Sequence, residues 1–504
     1  MMPHLVASCT SADFVRSRLC DLRFYTKVRM YESYLFTDQY WFARFLFYRG
    51  LFLTYFIAFL VSWRQFPPLC GEEGILPFTR IIDKRSFWES PSLFHYWPSD
   101  GAVRIVCLVG MVVSAAGFFG LEWLGPYVVG GALFVLWGLY LSLVNVGGLF
   151  YGYGWESLLC ETGALSIFLG GAHQPVSIVV LFLFGWLLFR VMFGAGMIKI
   201  RGDQCWRDLT CMDHHYETQP MPNPMSWFTH HLPGWWHKLE VLGNHFTELL
   251  VPFLYFLPQP VSGIGGVCTI TFMGWLMITG NFSWLNFLTG VLALLLLPDS
   301  FFTMVGLDVP VSSLIGVSLP MQVLILLFAL LVLTLSYYPA KNLISSNQLM
   351  NAGFDPFNLV NTYGAFGTIT RTRFELVVEG RDEEGNWREY EFKGKPTDPE
   401  RRPPQWAPYH LRLDWQLWFA AMPQRRSYWL QGLVEKLEEN DPSFMCLLHN
   451  NPFEGTDGPE TVRIRRFVYE FTDVEEWNET GRWWNRTFYQ NVITPQDNLN
   501  MRSF

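Results

Sequence analysis

Charge is what this sequence has least of. Only 16% of its 504 residues are Asp, Glu, Lys or Arg, while 50% are hydrophobic and 17% aromatic. A soluble globular chain has about a quarter of its residues charged, so an entirely soluble protein is excluded. The deficit is concentrated in windows. No charged side chain lies between Arg104 and Glu122, Glu122 and Glu156, Glu161 and Arg190, Glu248 and Asp299, or Asp308 and Lys341. Crossing about 30 Å of hydrocarbon takes about 20 mostly apolar residues, so these windows hold one, one, one, two and one spans. Segments near 50–63, 155–171 and 246–260 add three, for about nine spans. Buried soluble helices do not account for the charge-free stretch between Glu248 and Asp299. The net charge of −8 excludes nucleic acid as a partner.

A cleavable signal peptide is also missing. Residues 1–20 contain Arg16 and Arg18 but no apolar core. The first apolar run, near Leu51, therefore reads as an uncleaved anchor. Arg16, Arg18, Arg23, Lys27, Arg29, Arg44 and Arg49 precede it, so residues 1–49 are expected in the cytoplasm. An odd number of spans then carries the C-terminal region to the opposite, lumenal side. The glycosylation motifs at Asn281, Asn478 and Asn485 all fall on that side in a nine-span arrangement.

Cysteine is sparse and scattered, at 9, 20, 70, 107, 160, 205, 211, 268 and 446. This is neither a disulfide framework nor a zinc ribbon, although a pair in a lumenal loop could oxidise. No nucleophile elbow, phosphate-binding loop or dinucleotide fingerprint occurs. The sequence therefore assigns no catalytic residue, no metal and no cofactor.

Residues 50–340 read as a helical multi-pass membrane domain with lumenal loops at 65–100 and 199–245. In the first loop the aromatic stretch SFWESPSLFHYW reads as a helix lying at the membrane surface. After Lys341 charge returns and apolar residues alternate, so residues 341–504 read as a β-rich, α+β lumenal domain. FELVVEG (374–380) and WREYEFKG (387–394) flank a hairpin turn, and TVRIRRFVYEF (461–471) and RWWNRTFYQN (482–491) read as strands. Alternation slips at Arg465–Arg466, the mark of a bulge. SYWLQGLVEKLEEN (427–440) has helical spacing, and 395–408 is a proline-rich connector.

Three stretches carry polar groups that could do chemistry. GYGWESLLCETG places Trp155, Glu156 and Glu161 at the entry to a span. Carboxylates at membrane depth pair or face a cavity, and Arg190 and Lys199 are the candidate counter-charges. Two outcomes are open: a lock between helices, or a polar cavity for a substrate or ion. Gly194, Ala195 and Gly196 suit close helix packing.

The second stretch, RGDQCWRDLTCMDHHYETQPMPNP (201–224), contains Arg201, Asp203, Trp206, Asp208, Asp213, His214, His215 and Glu217. Its cysteines, Cys205 and Cys211, are too far apart for a C-x-x-C redox or ordinary zinc pair, but a local disulfide is open. Six of the eleven histidines lie in 214–245, without H-x3-H or H-E-x-x-H spacing. Three prolines stiffen the end of the stretch, which suits a structured cap. The third stretch is YHLRLDWQLWFAAM (409–422). Trp415, Trp418 and Phe419 there, with Trp483 and Trp484, form either a packed stripe or a client-binding surface.

These blocks, with NHFTELLVPF (244–253) and FDPFNLVNTYGAFG (354–367), resemble the lipase maturation factor family in content and in order, from about residue 40 to the end. The resemblance implies a non-enzymatic protein of the endoplasmic-reticulum membrane. It would assist folding and assembly of secreted homodimeric lipases, such as lipoprotein lipase, with the C-terminal lumenal domain contacting the immature client. It implies no catalytic residue. A distant similarity to membrane domains of the vitamin K-dependent carboxylase type keeps one alternative: a membrane enzyme or small-molecule binder using Glu156, Glu161, Arg190, Lys199 and the histidine-rich loop.

Overall fold

The computed structural model describes residues 35–307, 314–423 and 427–495. The basic residues between Arg16 and Arg29 lie outside them. Among the described residues, six helices are long and apolar enough to cross a membrane. They are α1 (Trp41–Cys70), α2 (Asp100–Phe119), α3 (Pro126–Val146), α5 (Ile178–Arg201), α7 (Val261–Thr279) and α9 (Leu319–Leu335, which runs on to Ile344). Two shorter helices, α4 (Gly154–Ser166) and α8 (Leu285–Leu294), and a composite one make three further passes between the same two ends. The composite pass begins as α6 (Gly234–His245) and continues through a π-turn (Phe246–Leu250) into Val251–Leu254. Its first half is amphipathic, with Lys238 and Glu240.

Hydrogen bonds identify the two ends. At the first, the Asp299 carboxylate caps the start of α1 by accepting from Trp41 N and Phe42 N. Gln259 reaches Tyr40 there, and the two-residue strands β1 (Phe36–Thr37) and β2 (Val176–Ser177) pair. At the other end, Gln65 donates to the His410 carbonyl, Asn145 to that of Pro356, and Arg201 to that of Leu343. The C-terminal domain thus sits at the end opposite the start of α1.

Helix α1 starts before the expected anchor and contains Arg44 and Arg49. These side chains do not stop the helix because both find hydrogen-bond partners inside the bundle. Arg44 donates to the carbonyls of Ala172 and Gln174, and Arg49 pairs with Glu122. The aromatic stretch at 86–97 is mostly turns, with only Leu93–His95 forming a 3-10 turn. Pro91 lacks the N–H that a continuous helix needs. Trp88, Tyr96 and Trp97 remain exposed, as suits an interfacial segment.

The C-terminal domain has a four-stranded antiparallel sheet. Its order is β4 (Trp387–Glu389), β3 (Arg373–Arg381), β7 (Thr461–Phe471), β8 (Trp484–Ile493). The β3–β4 hairpin turns at 382–386, within the acidic stretch read as its loop. The β7–β8 ladder shifts register on both sides of Arg465–Arg466, where the alternation slips. A small pair, β5 (Glu391–Phe392) with β6 (Leu448–Asn450), lies beside it. Helices α10 (Arg412–Ala421) and α11 (Leu430–Glu438) pack on the sheet, and α12 (Val474–Thr480) precedes β8. One apolar core runs without a break from α1 to β7, through Trp155, Leu413 and Trp415.

Candidate functional site

The polar side chains at the membrane-to-domain boundary form three separate buried centres, each with its charges paired. In the first, α4 presents Glu161 to Arg190 of α5, and the two form an ion pair 0–1% exposed. Glu161 Oε2 also accepts from Asn361 N at 3.0 Å, Asn361 Nδ2 at 3.1 Å and the Tyr363 hydroxyl at 2.7 Å. Arg190 donates to the Asn361 carbonyl at 2.7 Å. The segment after α9 can come this close because α5 carries glycine there. A β-carbon at Gly194 would lie 2.5 Å from the Tyr363 carbonyl oxygen.

The second centre joins the domains directly. Glu156, five residues before Glu161 on α4, accepts from Arg412 at 2.6 Å and from the Tyr140 hydroxyl of α3. Arg412 also donates to the Phe150 carbonyl, and its guanidinium lies 3.5 Å from the Tyr151 ring centroid. His410 stands beside it in a cage of Tyr153, Trp155, Trp284 and Trp415, and its Nδ1 accepts from Trp155 Nε1 at 3.3 Å. Burial pushes the His410 pKa down to about 4, so the imidazole stays neutral.

In the third centre Lys199 reaches Glu248 at 2.6 Å and Asn244 at 3.2 Å, beside the π-turn. Its ammonium lies 5.0 Å from the Trp206 ring centroid. The expected set of Glu156, Glu161, Arg190 and Lys199 is therefore not one cavity. Only Glu161 and Arg190 meet. Glu156 and Lys199 take partners from residues 412 and 248, because buried charge must be neutralised locally.

The loop at 201–224 is a clasp. Cys205 and Cys211 are joined by a disulfide with their α-carbons 4.8 Å apart. Asp203 caps the short helix that follows by accepting from Cys205 N, and it grips Arg371 with both oxygens at 2.7 and 2.8 Å. That arginine holds the Asp203 carboxyl well below the usual range. Trp206 donates to the Phe366 carbonyl, and Arg201 holds Leu343 and Gln348. Asp208 meets only Gln204, at the surface.

His214, His230, His231 and His237 lie near one another without forming a ligand set. His237 is held between Asp213 and the Thr229 carbonyl, His214 is half-buried, and His215 packs against Phe282 and Phe366. Among the described residues no group of three His, Cys, Asp or Glu could hold a metal. Further along, Glu217 accepts from Phe471 N at 2.7 Å, and Arg373 of β3 donates to the carbonyls of Glu217, Gln219 and Pro220. The prolines at 220–224 present carbonyls that need partners: Arg373 of the sheet supplies Pro220, Asn281 supplies Pro222 and Arg402 supplies Pro224.

Asn281 takes a role that its glycosylation motif does not suggest. It is 1% exposed. Its Nδ2 donates to the carbonyls of Pro222 and Pro404, and its Oδ1 accepts from Trp406 N and Ala407 N. All four hydrogen-bonding positions of an amide side chain are thereby filled. This one residue ties the end of α7 to both proline-rich stretches. Trp415, Trp483 and Trp484 are buried, with Trp483 and Trp484 closing a core around Trp227 and Phe471. Trp418 and Phe419 are half-buried, and Trp418 donates to the Thr218 carbonyl. Trp415, Trp483 and Trp484 are thus core packing in the chain.

Residues 42–304 match the Lipase maturation factor transmembrane domain and residues 359–494 the Lipase maturation factor C-terminal domain. The chain belongs to the lipase maturation factor family. Lipase maturation factor 1 of Homo sapiens is 40% identical over 90% of this chain and 88% of its own length. The Bos taurus protein of that name is 38% identical over 92% and 91%. Lipase maturation factor 2 of Xenopus tropicalis is 29% identical over 88% and 81%. No solved structure matches the chain significantly. Both family domains therefore include the boundary, with Glu156, Glu161 and Arg190 in one and Asn361, Tyr363 and Arg412 in the other.

The buried histidines make stability depend on pH. His215 is pushed down to about 3 by burial and the nearby Lys199, and His410 to about 4. Between these values and about 6.5 the unfolded chain binds protons that the folded one does not, so stability is present above about 6.5 and lost as pH falls. Asp414 opposes this. Burial raises it to about 6, so it binds its proton more readily when folded. Glu217 and Glu240, raised by burial, act with Asp414, while His230, pushed down to about 4, acts with His215 and His410, and the larger histidine shifts leave a net loss as pH falls. Purified protein should melt at a lower temperature at pH 5 than at pH 7.5. An unchanged or higher Tm at pH 5 would contradict this.

Proposed function

We propose that this protein is a non-catalytic maturation factor of the endoplasmic-reticulum membrane, which helps secreted homodimeric lipases fold and assemble. The starting terminus would be cytoplasmic and the C-terminal domain lumenal. Membership of the family through both domains carries this reading. Two features support it. The boundary charges are spent on one another, which suits a scaffold. The domain shares a core and a buried ion pair with the bundle, which would hold an immature client at a fixed height above the bilayer. The client would bind exposed surface of that domain.

The test is rescue. In cells lacking the endogenous factor, expression of the full chain should restore secretion of active lipase, and the lipase should be captured with it before export. If the chain accumulates normally but lipase activity in the medium stays at the uncomplemented level, the proposal fails. The Glu156→Leu, Arg412→Met double variant provides a check. If it folds and rescues, the centre is structural, and a catalytic use of Glu156 is excluded.

A further inference from the structure

Three Asn-x-Ser/Thr motifs occur, at Asn281, Asn478 and Asn485, and the motif alone treats them alike. The structure separates them. Asn281 has its whole amide saturated in the fold, and residues 280–284 only just separate α7 from α8. An oligosaccharide on its Nδ2 would have to occupy the space of the Pro222 and Pro404 carbonyls. Asn478 and Asn485 are exposed. Asn478 lies on α12, and Asn485 is the second residue of β8, where its amide donates to the exposed Glu476 at 3.0 Å. A single surface bond of this kind exchanges readily with water.

We infer that Asn478 and Asn485 carry N-linked oligosaccharides and that Asn281 does not. This rests on the lumenal placement proposed above. In the transfer, Nδ2 forms a bond to C1 of a sugar supplied by a polyisoprenyl pyrophosphate-linked oligosaccharide. The C1–O bond breaks, the pyrophosphate lipid leaves with the bonding pair, and the amide gives up one proton. The placement has a physical consequence. Strand β8 is the edge of the four-stranded sheet, and Phe488 and Tyr489 on it are about half exposed. Such an edge invites pairing with another chain. Two oligosaccharides at its α12 corner would screen it.

The experiment uses the full chain in secretory cells, with gel mobility before and after removal of N-linked sugars by an endoglycosidase. Digestion should shift the wild type by two sugar steps. Asn478→Gln and Asn485→Gln should each lose one step, and the double variant should lose both. Ser283→Ala abolishes the third motif while leaving the Asn281 amide in place, and should change nothing. Protease protection of a C-terminal tag reports the side independently. A protected tag without any sugar shift overturns this inference and leaves the lumenal reading standing. A digested tag on sealed vesicles overturns both. Loss of a step in Ser283→Ala overturns the exclusion of Asn281.

Discussion

Replacing Arg412 with methionine should lower stability by about 3–5 kcal/mol, the usual effect of stranding one member of a buried ion pair. Glu156 is 0% exposed and would keep only the Tyr140 hydroxyl. The Phe150 carbonyl would lose its donor as well. Because Arg412 comes from the C-terminal domain and Glu156 from α4, the first consequence should be loosening between domain and bundle. Limited proteolysis should cut in 395–408 at lower protease concentration, and the Tm in detergent should fall. Adding Glu156→Leu should recover most of the loss, since replacing both charges by apolar groups is close to neutral. A single variant as stable as wild type, or a double variant no better than the single one, would contradict the assignment.

Asn281→Ala should have an effect of similar size by a different route. It removes no charge and little volume, but it orphans the carbonyls of Pro222 and Pro404 and the N–H groups of Trp406 and Ala407. Each buried unsatisfied group costs about 1–3 kcal/mol. Entering water would recover part, so a net loss of about 3 kcal/mol is expected. The damage should be local to the two proline-rich stretches, with faster amide hydrogen exchange at Trp406 and Ala407 and normal exchange within α7. Wild-type exchange at both positions would show that Asn281 is not the tie.

Much of the bundle can be read from the sequence because hydrocarbon imposes one strong rule, and the gaps between charged residues follow it. The short pass α4 and the composite pass starting at α6 were legible as apolar segments near 155–171 and 246–260. Arg44 and Arg49 misplaced the start of α1, because a charge satisfied by carbonyls or by Glu122 looks the same in sequence as one in water. The sheet came through as alternation, including the slip at Arg465–Arg466.

The partners of the buried charges were much less legible. The sequence offers Arg190 and Lys199 alike as counter-charges for Glu156 and Glu161, and the fold gives Glu161 only Arg190. Arg412, Asn361, Tyr363, Glu248 and Asn244 were not foreseen as partners of the charges they satisfy. A signal existed in 409–422, where His410, Arg412 and Asp414 are interleaved with Leu411, Leu413 and Trp415, too many polar groups for an apolar stripe. What sequence cannot supply is the fold-back that brings residue 412 to residue 156. Asn281 was hidden differently, since its motif advertises a surface modification while the fold spends the side chain inside.

The distance along the chain between Glu156 and Arg412 also sets an order of events during synthesis. The carboxylate enters the membrane region 256 residues before its guanidinium is made, and Glu161 waits 200 residues for Asn361. At about 5–20 residues per second, Glu156 is without its cation for roughly 13–50 seconds. Through that interval α4 is a short helix with two acids, one of them unpaired, poorly suited to rest alone in hydrocarbon. The bundle therefore cannot reach its final packing until the last third of the chain has emerged and folded. A truncation before Arg412 should leave a membrane intermediate marked by that carboxylate, which is the feature a degradation system for membrane proteins would recognise.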